Sequence, residues 1–135
     1  MDKTQVAKDI RGAIKRRQLD TLRDLLEKDP EMLTWMTPLG TWLHVAAAHG
    51  HLEIAEYLIN HNIEIDTSEP DRNPLFAAIY GGHFEIVKLL VENNIDISIK
   101  YSGDNMKDMD AYVFAIERGQ AEIAEYLKRK MDEKE

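Results

Sequence analysis

The chain has 135 residues, 44% apolar and 31% charged, with 17 basic side chains against 25 acidic ones and no cysteine. The missing cysteines exclude disulfides and thiolate chemistry, and a net charge of −8 opposes phosphate backbones and anionic membranes. No run approaches the roughly 18 apolar residues of a membrane span, and the Met1–Gln5 start lacks the apolar core of a secretion signal, so the expected setting is a reducing cytoplasm.

Taken in chain order, a helical stretch first runs into Arg17-Gln18-Leu19-Asp20-Thr21-Leu22, with Leu25 and Leu26 behind it. An unusually apolar connector follows, Met32 to Leu39. A helix pair then opens at Thr41 and passes through Trp42-Leu43-His44-Val45-Ala46-Ala47-Ala48-His49-Gly50-His51-Leu52-Glu53-Ile54. The same pattern returns as Pro74 to Ile86 and, more worn, as Ala111 to Ile123. Arg17 to Gly50 is 33 residues, Gly50 to Gly82 is 32, and Gly82 to Gly119 is 37. Such a period predicts a solenoid of helix pairs, each burying its apolar face only by stacking on its neighbours.

Helix rules fix the details. Thr41, Asn73 and Asp110 can accept a hydrogen bond from an orphan N–H of the first turn. Pro74 loses nothing at a first helical position. Gly50, Gly82 and Gly119 suit a left-handed helix stop. Asp20, Glu53, Glu85 and Glu122 then place negative charge in the first turn of each second helix, where the helix dipole favours it. Apolar positions follow at helical spacing, Ile54, Tyr57 and Leu58, then Ile86, Leu89 and Leu90, then Ile123, Tyr126 and Leu127. Asn62 and Asn94 stand where the middle two second helices should end. The last residues, Lys128 to Glu135, read as a fraying, solvated end.

On these residues the unit resembles an ankyrin repeat. Thr41, Leu43, His44, Ala46, Ala47, Gly50, His51, Leu52, Glu53 and Ile54 match its motif in one unit. Pro74, Leu75, Ala77, Ala78, Gly82, His83, Glu85, Ile86 and Val87 match it in the next. Trp42 stands in the proline's place and Phe76 in the histidine's. The resemblance implies an all-α ankyrin-type solenoid, one domain over residues 1–135 with units at about 4–33, 37–67, 69–100 and 106–131. The end from Ile95 through Gln120 resembles small bacterial ankyrin proteins, some of which act as immunity proteins beside toxins.

The resemblance also implies protein recognition through a concave face built from first helices and hairpin tips, without catalysis, cofactor or metal. The helices would contribute Lys15, Arg16, Ala48, His49, Tyr80, Gly81, Glu117 and Arg118. The hairpins would contribute Trp35, Met36, Thr37 and Leu39, then Glu69, Asp71 and Arg72, then Met106, Lys107 and Asp108. Tyrosine, tryptophan, methionine and arginine are types enriched at interface centres. Trp35 and Trp42 admit two readings, packing under the hairpin or contact with a partner. The five-residue-longer connector holding Tyr101 to Asn105 is either functional or an insertion without a role.

Charge is uneven along the chain. Residues 1–33 hold 8 basic and 7 acidic side chains, 34–98 hold 2 and 9, and 99–135 hold 7 and 9. An acidic middle would steer a basic partner, such as a toxin domain, or serve solubility alone. The alternative reading is a scaffold or accessory subunit that inhibits nothing. The unbound chain is expected to be a monomer that binds neither nucleic acid nor membrane. Arg11, Lys15, Arg16 and Arg17 lack the interleaved aromatics of a nucleic-acid surface and read as a solvated face. His44, His51 and His83 fall at motif positions whose histidines make structural hydrogen bonds, and His49 with His51 reads as a surface pair. Tyr80-Gly81-Gly82-His83 lacks the Lys-Ser/Thr of a phosphate loop, and no serine sits in a Gly-x-Ser-x-Gly setting.

Overall fold

A computed structural model describes residues 2–134 and shows four helix pairs in series. They are α1 (Lys3–Lys15) with α2 (Leu19–Lys28), α3 (Trp42–His49) with α4 (Leu52–Asn60), α5 (Pro74–Gly81) with α6 (Phe84–Glu92), and α7 (Ala111–Glu117) with α8 (Ala121–Glu133). A 3-10 turn, Pro30–Thr34, follows α2. The architecture is helical except in the third connector, where Tyr101–Gly103 (β1) and Met106–Met109 (β2) form a two-stranded antiparallel hairpin. The end from Lys128 onward is largely exposed, as expected, but instead of fraying it is helical through Glu133, with i,i+4 ion pairs Lys128–Asp132 and Arg129–Glu125 along it. Met1 and Glu135 lie outside the described residues.

The capping residues act as their chemistry dictates. Thr41 Oγ1 accepts from the Leu43 N–H at 3.2 Å, Asn73 Oδ1 from that of Leu75 at 2.8 Å, and Asp110 Oδ1 from that of Val113 at 2.8 Å. Gly50, Gly82 and Gly119 follow the first helices at φ 72°, 71° and 72°. The first unit makes the same turn with Arg17 at φ 60°, a left-handed conformation that costs an L side chain about 1–2 kcal/mol. Asn62 and Asn94, at φ 63° and 68°, end the middle two second helices.

First helices pack on one another along the array more intimately than second helices do, so the stack curves toward the first-helix side. The core is continuous, passing through Ile10, Ile14, Leu22, Leu43, Ile54, Leu58, Leu75, Ile79, Ile86 and Leu90, all buried to within 1%. Trp42, read from sequence as either core or interface, belongs to this core. It is wholly enclosed, and its indole N–H donates to the Met32 carbonyl at 2.9 Å, fastening the first connector to the second unit.

Side chains also sew unit to unit. His51 Nε2–H donates to the Lys15 carbonyl at 3.1 Å, and His83 Nε2–H to the Ala48 carbonyl at 3.3 Å. The bonds thus run from the turn of one unit to the end of the first helix of the unit before. Gln120 holds the equivalent place in the fourth unit and lies against Gly82. His44 departs from the expected pattern, since its Nδ1 is enclosed without a hydrogen-bond partner among the described residues.

The hairpins lean on one another in the same order. Thr37 and Gly40 exchange backbone bonds of 2.8 and 3.0 Å, and Gly40 leaves room for the backbone of Arg72. The Tyr101 hydroxyl donates to the Thr67 carbonyl at 2.6 Å and accepts from Asn73 Nδ2 at 2.9 Å. Burial pushes the Tyr101 phenol pKa up, opposed by the Asn73 bond. Part of the longer connector therefore has a structural role.

Candidate concave binding site

Between the hairpins and the first helices lies an open cleft of about 350 Å³, lined mainly by apolar side chains. Leu39 closes it from the first connector, Pro70 and Asp71 from the second, and Met106 from the β1–β2 hairpin. The helices supply His44 and Ala48 from α3, Phe76, Ala77 and Tyr80 from α5, and Phe114 from α7. Phe76 stacks on Phe114 with centroids 4.9 Å apart and meets Tyr101 edge-on at 5.2 Å, so aromatic contacts tie the cleft to the third connector and to α7. Tyr80 and Leu39 remain 63% and 55% exposed, and both line this one cleft.

Tyr80 does not stand free. The Arg118 guanidinium carbon lies 4.4 Å from its ring centroid, so a cation on α7's C-terminal side sits on an aromatic from α5. Burial holds the His44 imidazole below the usual histidine pKa, and the Asp71 carboxylate opposes that shift. His44 therefore stays neutral at pH 7.

The residues expected at the interface divide. Leu39, Ala48, Asp71, Tyr80 and Met106 meet in the cleft, and Arg118 reaches it through Tyr80. His49 lies beside it, in a hollow between α1 and α3. Glu117 is exposed at the end of α7, next to Arg118. Lys107 and Asp108 are exposed on β2 outside the cleft, whose hairpin contact is Met106. Met36 is exposed, while Trp35 is half-buried against the core and outside the cleft. Arg72 is also half-buried, occupied by Glu69 at 3.2 Å and Asp66 at 4.0 Å. Glu69 and Arg72 thus largely answer each other. Phe76 and Phe114 escaped the residue-by-residue reading. The signal available was Phe76 itself, an aromatic where the repeat motif carries histidine.

Acidic charge is concentrated elsewhere. Of the acidic residues between 34 and 98, Glu53, Glu56, Glu85 and Glu92 lie on α4 and α6, and Asp66 and Glu69 are engaged by Arg72. Asp71 is the one carboxylate among the cleft's lining residues. A second hollow of similar size, about 350 Å³, lies among Leu26, Pro30, Leu33, Tyr57 and His61. It contains none of the expected interface residues. No helix among the described residues is long and apolar enough to cross a membrane.

The family model of ankyrin repeats (3 copies) matches residues 10–101 and 69–135. The chain belongs to the ankyrin repeat family, whose repeats are modules of protein–protein interaction. No curated protein matches the chain.

Proposed function

We propose that residues 1–135 form one non-catalytic recognition domain that binds a partner protein through the concave cleft and the hairpin tips around it. The observation that carries this reading is the convergence of exposed Leu39 and Tyr80 on a cleft floored by Phe76 and Phe114. An apolar centre with a few placed polar groups is what a protein interface needs. We place the protein in the cytoplasm and take it to be a monomer before binding.

Neutralisation of a basic, toxin-like partner is the finer form of this proposal. Its support is the net charge of −8 and Asp71 at the cleft. The acids on α4 and α6 lie on the other layer, so the electrostatic support is weaker at the cleft than the total suggests. A scaffold that holds a subunit without inhibiting it uses the same apolar centre.

The test is quantitative capture of partners by the whole chain and by Tyr80→Ala/Glu117→Lys, at low and moderate salt. A partner lost by the variant at unchanged melting temperature supports the concave site, and one fully retained overturns it. Steep loss with salt identifies a charge-steered, neutralising contact, whereas salt-resistant binding favours the scaffold.

A further inference from the structure

The basic run of α1 has a place in this face. Arg11 and Lys15 line a hollow of about 170 Å³ between α1 and α3, closed by Thr37, Leu39, Val45 and His49 and containing no acidic side chain. Neither cation has an ion-pair partner among the described residues, a state they share with Lys8, Arg16, Arg17, Lys28, Lys100, Lys107, Arg118 and Lys134, but they alone line this hollow. Arg16 is drawn aside, its guanidinium lying along Gly12 of its own helix. His49 stacks at 6.1 Å on His51. Burial is the main cause that holds its pKa down, and the Lys15 cation acts in the same direction. The hollow shares Leu39, His44 and Ala48 with the apolar cleft, so the two are continuous.

We infer that the α1 end of the concave groove is a carboxylate-binding subsite, and that the partner segment carries an acidic side chain about four residues from a large apolar anchor seated in the cleft. This rests on the concave face being the binding face. Charge complementarity selects the occupant, because two unanswered cations above a hollow without acids favour an anion and repel a basic segment. The spacing follows from geometry. Packed helices lie about 8–10 Å apart, and the hollow between α1 and α3 is about one and a half such steps from α5. An extended segment rises about 3.3 Å per residue, so roughly four residues bridge the distance. The partner is then acidic at the α1 end, the reverse of what the protein's net charge suggests.

The test is amide-resolved NMR titration of the whole chain with three capped peptides, Glu-Ser-Gly-Ser-Phe, its reverse Phe-Ser-Gly-Ser-Glu, and Lys-Ser-Gly-Ser-Phe. One glutamate peptide is expected to shift amides at both the C-terminal end of α1 and the Ala77–Gly82 stretch. The lysine peptide should bind about fivefold more weakly or worse and lose the α1 shifts. Arg11→Glu/Lys15→Glu should reverse that preference while retaining the α5 shifts, which show that the variant is folded. Equal or tighter binding of the lysine peptide to the unaltered chain overturns the subsite. So does an absence of saturable α1 shifts with both glutamate peptides. Shifts at α5 with all three peptides, and none at α1, remove the subsite and leave the concave reading standing. Shifts confined to the second helices remove both.

Discussion

Ile79 and Ile116 occupy the same position of the repeat, three residues before Gly82 and Gly119. Ile79 is wholly buried, because the next unit's first helix covers it, while Ile116 is 53% exposed at the end of the described stack. The fastening bonds follow the same gradient. His51 and His83 each reach a carbonyl of the unit before, whereas Gln120 makes no such bond among the described residues. One local sequence pattern therefore has different energetic weight in different places, because burial comes from the neighbour and not from the unit itself.

Paired substitutions break or sharpen this contrast. Ile79→Ala should cost about 2–5 kcal/mol and Ile116→Ala less than about 0.5 kcal/mol, measured by chemical denaturation. Equal costs would mean that the fourth unit is covered in solution, by a second copy for example. Next in size, Gly82→Val places a β-branched residue at φ 71° with its Cβ about 3.1 Å from the Gln120 amide, and should cost about 1–3 kcal/mol. Gly119→Ala meets nothing within 4 Å and should show only the backbone cost of about 1–2 kcal/mol. An unchanged melting temperature for Gly82→Val would contradict the assigned helix stop.

His44 and Phe76 form a third pair, at equivalent positions of successive units. His44→Phe removes an unpartnered buried nitrogen and should stabilise by about 1 kcal/mol at neutral pH. The same variant tests a pH dependence. The folded-state pKa of His44 lies below its unfolded value of 6.5, so the unfolded chain binds the proton more readily. Stability is then complete above 6.5 and falls as the pH drops through that value, levelling off below the folded pKa. Melting temperatures from pH 7.5 to 5 should slope less in His44→Phe, and an identical slope would assign it to other groups such as His49. Smallest of all, Tyr80→Ala should alter stability by less than about 0.5 kcal/mol, since the ring is 63% exposed. A large loss of stability would make Tyr80 a core residue.

The helix pairs were legible in the chain because their signals are local. A cap such as Asn73, a stop such as Gly50 and an asparagine such as Asn94 each act within one turn of backbone, and the apolar spacing between them is enough to orient a helix. The site was only partly legible. The repeat alignment put Tyr80 and Leu39 on the binding face, but the contact of Arg118 with Tyr80 depends on the distance between units. The Phe76–Phe114 stack depends on the same distance, and its members are not at equivalent positions of the motif. Charge misled for a related reason. A segment total adds the acids of α4 and α6 to those of the hairpins, although helix geometry sends the two sets to different layers. His44 shows the limit of motif matching, since its position promised a hydrogen bond that Nδ1 does not make.

The histidine fastenings also have a direction. Each donor, His51 or His83, lies about 35 residues after the carbonyl it meets. During synthesis the acceptor is made first in both cases, and the second and third units each arrive carrying a clasp for a helix end that precedes them in the chain. Assembly can then proceed in step with translation, with neither bond waiting on a segment still to be made.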